Sequence, residues 1–170
     1  VGSTQINKKN EYSIKSNDIF FDKDKNFISS NNESQIVDMN ENKINVEKFE
    51  IYLNKNQFIG VNSTLIDKTL NSYFIKKLFY DFKEQKIYGK DININHNNDS
   101  LSSKRHLPRA KSRTLIIEND NLFLNKSVYT NCKKRDGCPP WLIEAEEINH
   151  DKKNKIVNYK NATLKFYDVP

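Results

Sequence analysis

Cys132 and Cys138, separated by five residues in "NCKKRDGCPPW", have the most reactive chemistry open to them in this chain. Two thiolates supply half of a tetrahedral zinc site. The next histidine along, His150, falls inside an alternating strand pattern, so no metal centre is expected. Dithiol redox chemistry of the C-x-x-C kind needs a tighter spacing and a βαβ setting, and neither is present. His150 and Asp151 suggest a proton relay, but adjacent residues of a strand point to opposite faces and cannot serve one proton. No paired carboxylates and no nucleophile with a base share a workable spacing, so an enzyme is not expected. Only four glycines occur in 170 residues. No Gly-rich loop is available to cradle a phosphate, and no nucleotide or other cofactor is expected.

A different chemistry is suggested by "SSKRHLPRAKSR", where Lys104, Arg105, Arg109, Lys111 and Arg113 crowd together without an acidic residue. With a net charge of +6, the run suits a phosphate-bearing partner. Nucleic acid is not expected, because no aromatic residue is interleaved to stack on bases. Trp141, the one tryptophan, follows Pro139 and Pro140, a pair that stiffens the chain and blocks ladder donation before a new strand.

The elements that must position these groups read as β. Apolar residues recur with period two: Phe49, Ile51 and Leu53 in "FEIYL", Ile92 and Ile94 in "DININ", Leu164 and Phe166 in "ATLKFY". Clusters of Asn, Asp and Lys interrupt these runs as turns do. A helix is a weak alternative only in "LIDKTLNSYFIKKLF", through Leu65, Tyr73 and Leu78. No stretch has the ~18 apolar residues of a membrane-spanning helix. A hydrophobic fraction of 36% is low for a thick two-layer core and favours an open architecture.

The strand pattern repeats. "SIKSNDIFFDKDKNFI" and "LIEAEEINHDKKNKIV" superpose without a gap, placing Ile14 on Ile143, Ser16 on Ala145, Ile19 on Ile148 and Asp22 on Asp151. "KINVEKFEIYLNKNQFIG" is a third copy through Ile44, Val46 and Phe49, and "FIKKLFYDFKEQKIYG" a looser fourth. The three-residue step from small to apolar residue breaks strict alternation, and a β-bulge is expected there. Short repeated hairpins build an open stack in which each unit covers its neighbour.

Repeats of this form resemble the OstA-type domain shared by periplasmic proteins of lipopolysaccharide transport. Residues 12–95 share the repeat type alone. Residues 104–170 are more specific: "RHLPRAKSR", "YTNC", "PPWLIEA", "HD", "IVNYKNATL" and "VP" are similar to the segment joining the periplasmic domain to the β-barrel in the outer-membrane LPS-assembly (OstA) family. The resemblance implies an all-β, open, V-shaped β-jelly roll, the OstA-like β-taco, built from hairpin units. It implies a tail at 1–11 and a periplasmic domain at 12–170, with a basic connection at 97–113, a Cys-containing loop at 129–141 and a barrel beyond 170.

The implied function is non-enzymatic transport of lipopolysaccharide at the periplasmic face of the outer membrane. Ile19, Phe49, Ile51, Leu53, Ile92, Ile94, Ile148 and Leu164 would line an apolar groove, and Lys104, Arg105 and Arg109 would face phosphates. Implied partners are a like-folded periplasmic bridge protein of the LptA type, docking on the edge at 14–21, and a lipoprotein plug of the LptE type reached through the barrel. An oxidising periplasm makes a Cys132–Cys138 disulfide the default, with "KKRDG" as its turn. The alternative from another class is a β-rich binding or adhesion module for surface glycans.

Overall fold

In the computed structural model, residues 4–8, 12–97, 108–132 and 139–167 are described. They form β1 (Thr4–Lys8), β2 (Tyr12–Ser16), β3 (Phe20–Asp22), β4 (Phe27–Ser30), β5 (Ser34–Asp38), β6 (Lys43–Tyr52), β7 (Gln57–Ile66), β8 (Ser72–Asp81), β9 (Lys86–Asn95), β10 (Arg109–Glu118), β11 (Asn121–Thr130), β12 (Trp141–Asp151) and β13 (Ile156–Phe166). All pair antiparallel in one sheet ordered β1-β2-β5-β6-β7-β8-β9-β10-β11-β12-β13, with β4 pairing β3 and β6. The segment weighed as a helix is the end of β7, a turn and β8, and Leu65, Tyr73 and Leu78 are all core residues.

The sheet is open, and it buries its apolar face against itself. Neighbouring strands lie about 4.8 Å apart, so β7 and β12 would be about 24 Å apart if flat. Yet Lys152, just past β12, reaches Asp67, just past β7, at 3.0 Å. The Tyr12 and Phe82 rings, about 19 Å apart in a flat sheet, stack with centroids at 4.4 Å. The two facing sheets of the expected V are thus two walls of one continuous sheet. Contacting groups come from opposite rims: Asp67 and Lys152 follow hairpin ends that point in opposite directions. A twist of about 20–25° per strand, accumulated over four or five strands, turns the walls across one another by roughly 100°. Twist therefore brings one rim of a wall over the other rim of the next.

A seam crosses the sheet where the alternation breaks. Val46 pairs with Ser63 and Lys48 with Val61, so Glu47 and Asn62 face each other outside the ladder. The same gap recurs between the following strands at Lys76, Asp91, Arg113, Lys126, Glu146 and Asn161. The expected β-bulge is therefore corrected: a bulge sets two residues against one, whereas here one faces one. What resets the alternation is a left-handed residue on every second strand: Asn62 (φ 51°), Asp91 (φ 55°), Lys126 (φ 51°) and Asn161 (φ 50°). Asn and Asp tolerate that conformation better than other side chains. Asn62 and Asn161 also donate to Glu47 and Glu146, each at 2.6 Å. On the inner face the seam is flanked by small residues, among them Gly60, Gly89, Ser63, Ser112, Ser127 and Ala145. A Cβ on Gly60 would lie 2.7 Å from the Ser63 hydroxyl and 3.0 Å from the Phe58 ring.

Three boundaries differ from the sequence reading. The tail at 1–11 contains β1, held by its ladder to β2. The basic connection ends before Arg109, because β10 claims Arg109–Glu118 through ladders on both sides. The Cys-containing loop is narrowed to 131–140 by β11 and β12.

Asn62→Val, a branched side chain forced into a left-handed conformation, is expected to cost about 1–2 kcal/mol in urea unfolding. Lys126→Asn at the equivalent point should leave the midpoint unchanged or raise it slightly.

Candidate functional site

The inner face carries four rows of side chains, two on each side of the seam. Phe49, Ile51, Ile92, Ile94 and Ile148 all lie on it at 0–5% exposure, packed into one core with Phe58, Tyr73 and Tyr80. Ile19 is half-buried against that core, between β2 and β3. Leu53 was expected on a strand face beside Ile51. It instead opens a one-turn 3-10 helix, Leu53–Lys55, because β6 ends at Tyr52, and it packs on the core from there.

Leu164 lies on the same inner face but is 48% exposed. The cause is its strand. β13 is the last in the sheet, and no wall faces it among the described residues. Val157, Tyr159 and Phe166, its other inner apolar residues, are exposed too. The apolar interior thus passes from a filled core to an uncovered surface as the sheet runs out. Between the two is a cavity of about 280 Å³, lined by Leu122, Leu124, Tyr129, Ile148, Val157 and Tyr159 from β11–β13, and closed by His96, Asn97 and Pro108, which adjoin the end of β9 and the start of β10.

His96 and His150 meet edge to face at this cavity, ring centroids 6.4 Å apart. Burial pushes His96 down from 6.5 to about 4, the His150 and Lys152 charges push the same way, and Asp67 opposes them. His150 is also lowered, first by burial and then by Lys152. Both are neutral at physiological pH. As its repeat column implies, His150 is a strand residue, while Asp151 holds its turn by accepting from the Asn154 backbone N–H at 2.9 Å.

A polar knot seals the walls beside the cavity. Asp67 accepts from the backbone N–H groups of Thr69 and Asn71, from both their side chains, from the Tyr73 hydroxyl at 3.0 Å and from Lys152 at 3.0 Å. Burial disfavours its charge, but the Thr69 bond, the Lys152 charge and the Asn71 bond together hold the carboxyl well below the ordinary range. Asp38 repeats the design: its carboxylate takes the Asn40 and Asn42 backbone N–H groups and the Tyr80 hydroxyl, at 2.9 Å each. The sequence reading missed this pair. The signal was present in "DMNEN" and "DKTLN", a shared D-x-[N/T]-x-N turn.

Arg109 was expected on a connection facing phosphate. Its guanidinium instead donates to the Cys132 carbonyl oxygen, pinning the start of β10 to the end of β11. Lys104, Arg105 and Cys138 lie outside the described residues. Cys132 is a buried free cysteine among the described residues, its backbone N–H bonded to Thr130 Oγ1 at 3.2 Å. Trp141 begins β12 with its ring 6.3 Å from Tyr129. No cluster of three or more His, Cys, Asp or Glu placed for a metal occurs among the described residues.

Fold and site together define an open, all-antiparallel β domain whose one-sided apolar interior is filled over most of the sheet and exposed on β13 among the described residues. The particular relative found by sequence is the LPS-assembly protein LptD of Nitrosomonas europaea, 32% identical over 85 residues. The match takes in 46% of this chain and 12% of that protein, so the chain spans far less than two-thirds of its relative. It is consistent with an OstA-like domain of such a protein. No family model matches. Among solved structures, LptH of Pseudomonas aeruginosa, the LptA-homologous periplasmic component of a lipopolysaccharide transport device, is 10% identical, with 91% of this chain and 94% of that one covered. The TM-score is 0.36, too low to carry any argument.

The two buried groups set the acid limit of the fold. A lowered histidine pKa means that the unfolded chain takes up the proton first, so stability is full above about pH 6.5 and falls towards pH 4. The unfolding free energy from urea titrations should drop across that window by an amount on the order of 2 kcal/mol, and His96→Gln should flatten the drop. Below about pH 4 a second loss should follow as Asp67 is protonated, because its folded pKa is also depressed. Asp67→Asn should be less stable at neutral pH and lack that second phase.

Proposed function

We propose that the chain is a non-enzymatic, periplasmic lipopolysaccharide-transport domain at the outer membrane, receiving the lipid on its inner face and passing it towards a barrel. The match to an LPS-assembly protein carries the reading. The physical route offered by this chain is the uncovered inner face of β12 and β13, continuous with the cavity beneath His96 and His150.

Each acyl CH₂ taken from water stabilises by about 0.8 kcal/mol, so a dozen carbons offer roughly 10 kcal/mol gross. A conduit that captured all of this would not release its cargo. A shallow face that leaves Leu164 and Phe166 half in water takes only part of it. The eight residues of the expected groove then divide by depth. Leu164 contacts lipid directly, while Phe49, Ile51, Ile92, Ile94 and Ile148 form the floor that keeps the walls apart, with Ile19 and Leu53 at the margins.

The proposed bridge protein of the LptA type would add a strand at the N-terminal edge. Of the expected edge at 14–21, Ile14 is unsuitable, since β2 is paired on both sides by β1 and β5. β3 pairs only with β4 and exposes Phe20 and Phe21, so its free side is the docking edge. Lys104 and Arg105 facing phosphates, a Cys132–Cys138 disulfide bracing the loop at 131–140, and an LptE-type plug beyond a barrel complete the proposal.

A photo-crosslinking residue at inner-facing Tyr159 or Leu164 should capture purified lipopolysaccharide, and one at outer-facing Asn158 or Lys165 should not. Equal capture from both faces would remove the sided groove on which the proposal depends.

A further inference from the structure

The outer face of the sheet is not uniformly polar. On one side of the seam, the ladders align Ile59, Phe79, Tyr88, Ile116 and Phe123 as direct cross-strand neighbours on β7–β11. Ile59, Tyr88 and Phe123 are 38–39% exposed, and Phe79 packs on Tyr88 at 5.7 Å. This is an unbroken apolar stripe five strands long, facing away from the core.

The next two outward rows carry bases among Val61, Thr114, Asn125 and Asn62. Lys77 and Lys90 stand directly opposite each other beside the stripe, and Lys76, Arg113 and Lys126 follow on the seam. Asp91 is the one acidic residue among these two rows on β7–β11. All five bases are exposed, and no ion pair among the described residues engages them. Like charges set directly opposite one another destabilise a sheet, so the Lys77–Lys90 pair has no structural benefit to explain it. Among the acidic residues nearby, Glu47, Glu146 and Glu147 flank these rows on β6 and β12 and are engaged by Asn62, Asn161 and Lys160, while Asp81 and Glu118 lie on the far side of the stripe. Asp81 holds its own turn and Glu118 is bridged to Lys86 at 3.1 Å.

From this juxtaposition we propose that the outer face of β7–β11 is a docking surface for an anionic lipid bilayer. The apolar stripe would enter the headgroup layer and the adjoining lysines and arginine would meet its phosphates. Lysine stems lie along apolar surface while their charges reach the interface. Apolar burial and attraction to anionic lipid then add at a single face. The proposal concerns the face opposite the groove and does not depend on lipopolysaccharide.

The test is sedimentation of the 170-residue chain with phosphatidylcholine vesicles, with and without about one quarter phosphatidylglycerol. Binding is expected only to the anionic vesicles and should fade as salt rises. The double variant Lys77→Glu, Lys90→Glu should bind at least about thirtyfold more weakly, taking each lysine at the usual size of such contacts. Tyr88→Ser with Phe123→Ser should also weaken binding while keeping its salt dependence. Both variants alter outward side chains, and an unchanged melting transition confirms that they fold. Reversing Lys23 and Lys68, exposed residues in rim turns, controls for net charge and should change binding by no more than about twofold. Equal binding to neutral vesicles would overturn the proposal, as would full binding by the Lys77/Lys90 variant, which would assign the attraction to the basic run at 104–109. No vesicle binding by the folded chain would overturn it in favour of an acidic protein partner.

Discussion

A single β-sheet with one apolar face has nothing to bury that face against except itself, and the rest of this molecule follows from how it does so. Strand twist alone turns distant strands across one another but leaves each strand straight. The seam resets the alternation within each strand. By placing a left-handed residue on every second strand, opposite an unpaired residue on the next, it keeps the register intact and resets which side chains point inward. Both halves of every long strand can then present apolar residues to one interior. Small inner residues beside the seam leave room for close packing there, as the short contacts awaiting a Cβ at Gly60 show.

Once the sheet is coiled, its rims decide how tightly the walls close. Asp38 and Asp67 first cap their own turns and then reach across to Tyr80, and to Tyr73 and Lys152. Each carboxylate is thus satisfied by backbone and side-chain donors together, which offsets the cost of its burial. The Lys152 contact ties the end of β12 to the rim at Asp67, beside the core packing of Leu122, Leu124 and Ile148. Among the described residues no wall faces β13. The same geometry that fills the core between β5 and β9 therefore leaves the inner face of β12 and β13 half-wetted. That gradient from dry core to wet surface arises from the openness of the sheet.

The sequence by itself determined the all-β character, the hairpin repeat and the inward positions Phe49, Ile51, Ile92, Ile94 and Ile148. Period-two alternation is a local property written in side-chain polarity. It also marked where the alternation breaks, through the small-to-apolar step at Ser16–Ile19 and Ala145–Ile148. It could not say that the break is a symmetric seam, because that depends on what stands opposite on the next strand. Nor could it show that Leu164 is uncovered while Ile94, with the same local pattern, is buried, since the difference is a facing wall contributed from far along the chain. Arg109 read as part of a basic run until pairing on both sides placed it in β10 and turned its guanidinium to a carbonyl. The Asp67–Lys152 contact and the outer stripe from Ile59 to Phe123 join residues on strands far apart in sequence. Only the register and twist of the folded sheet decide which of them meet.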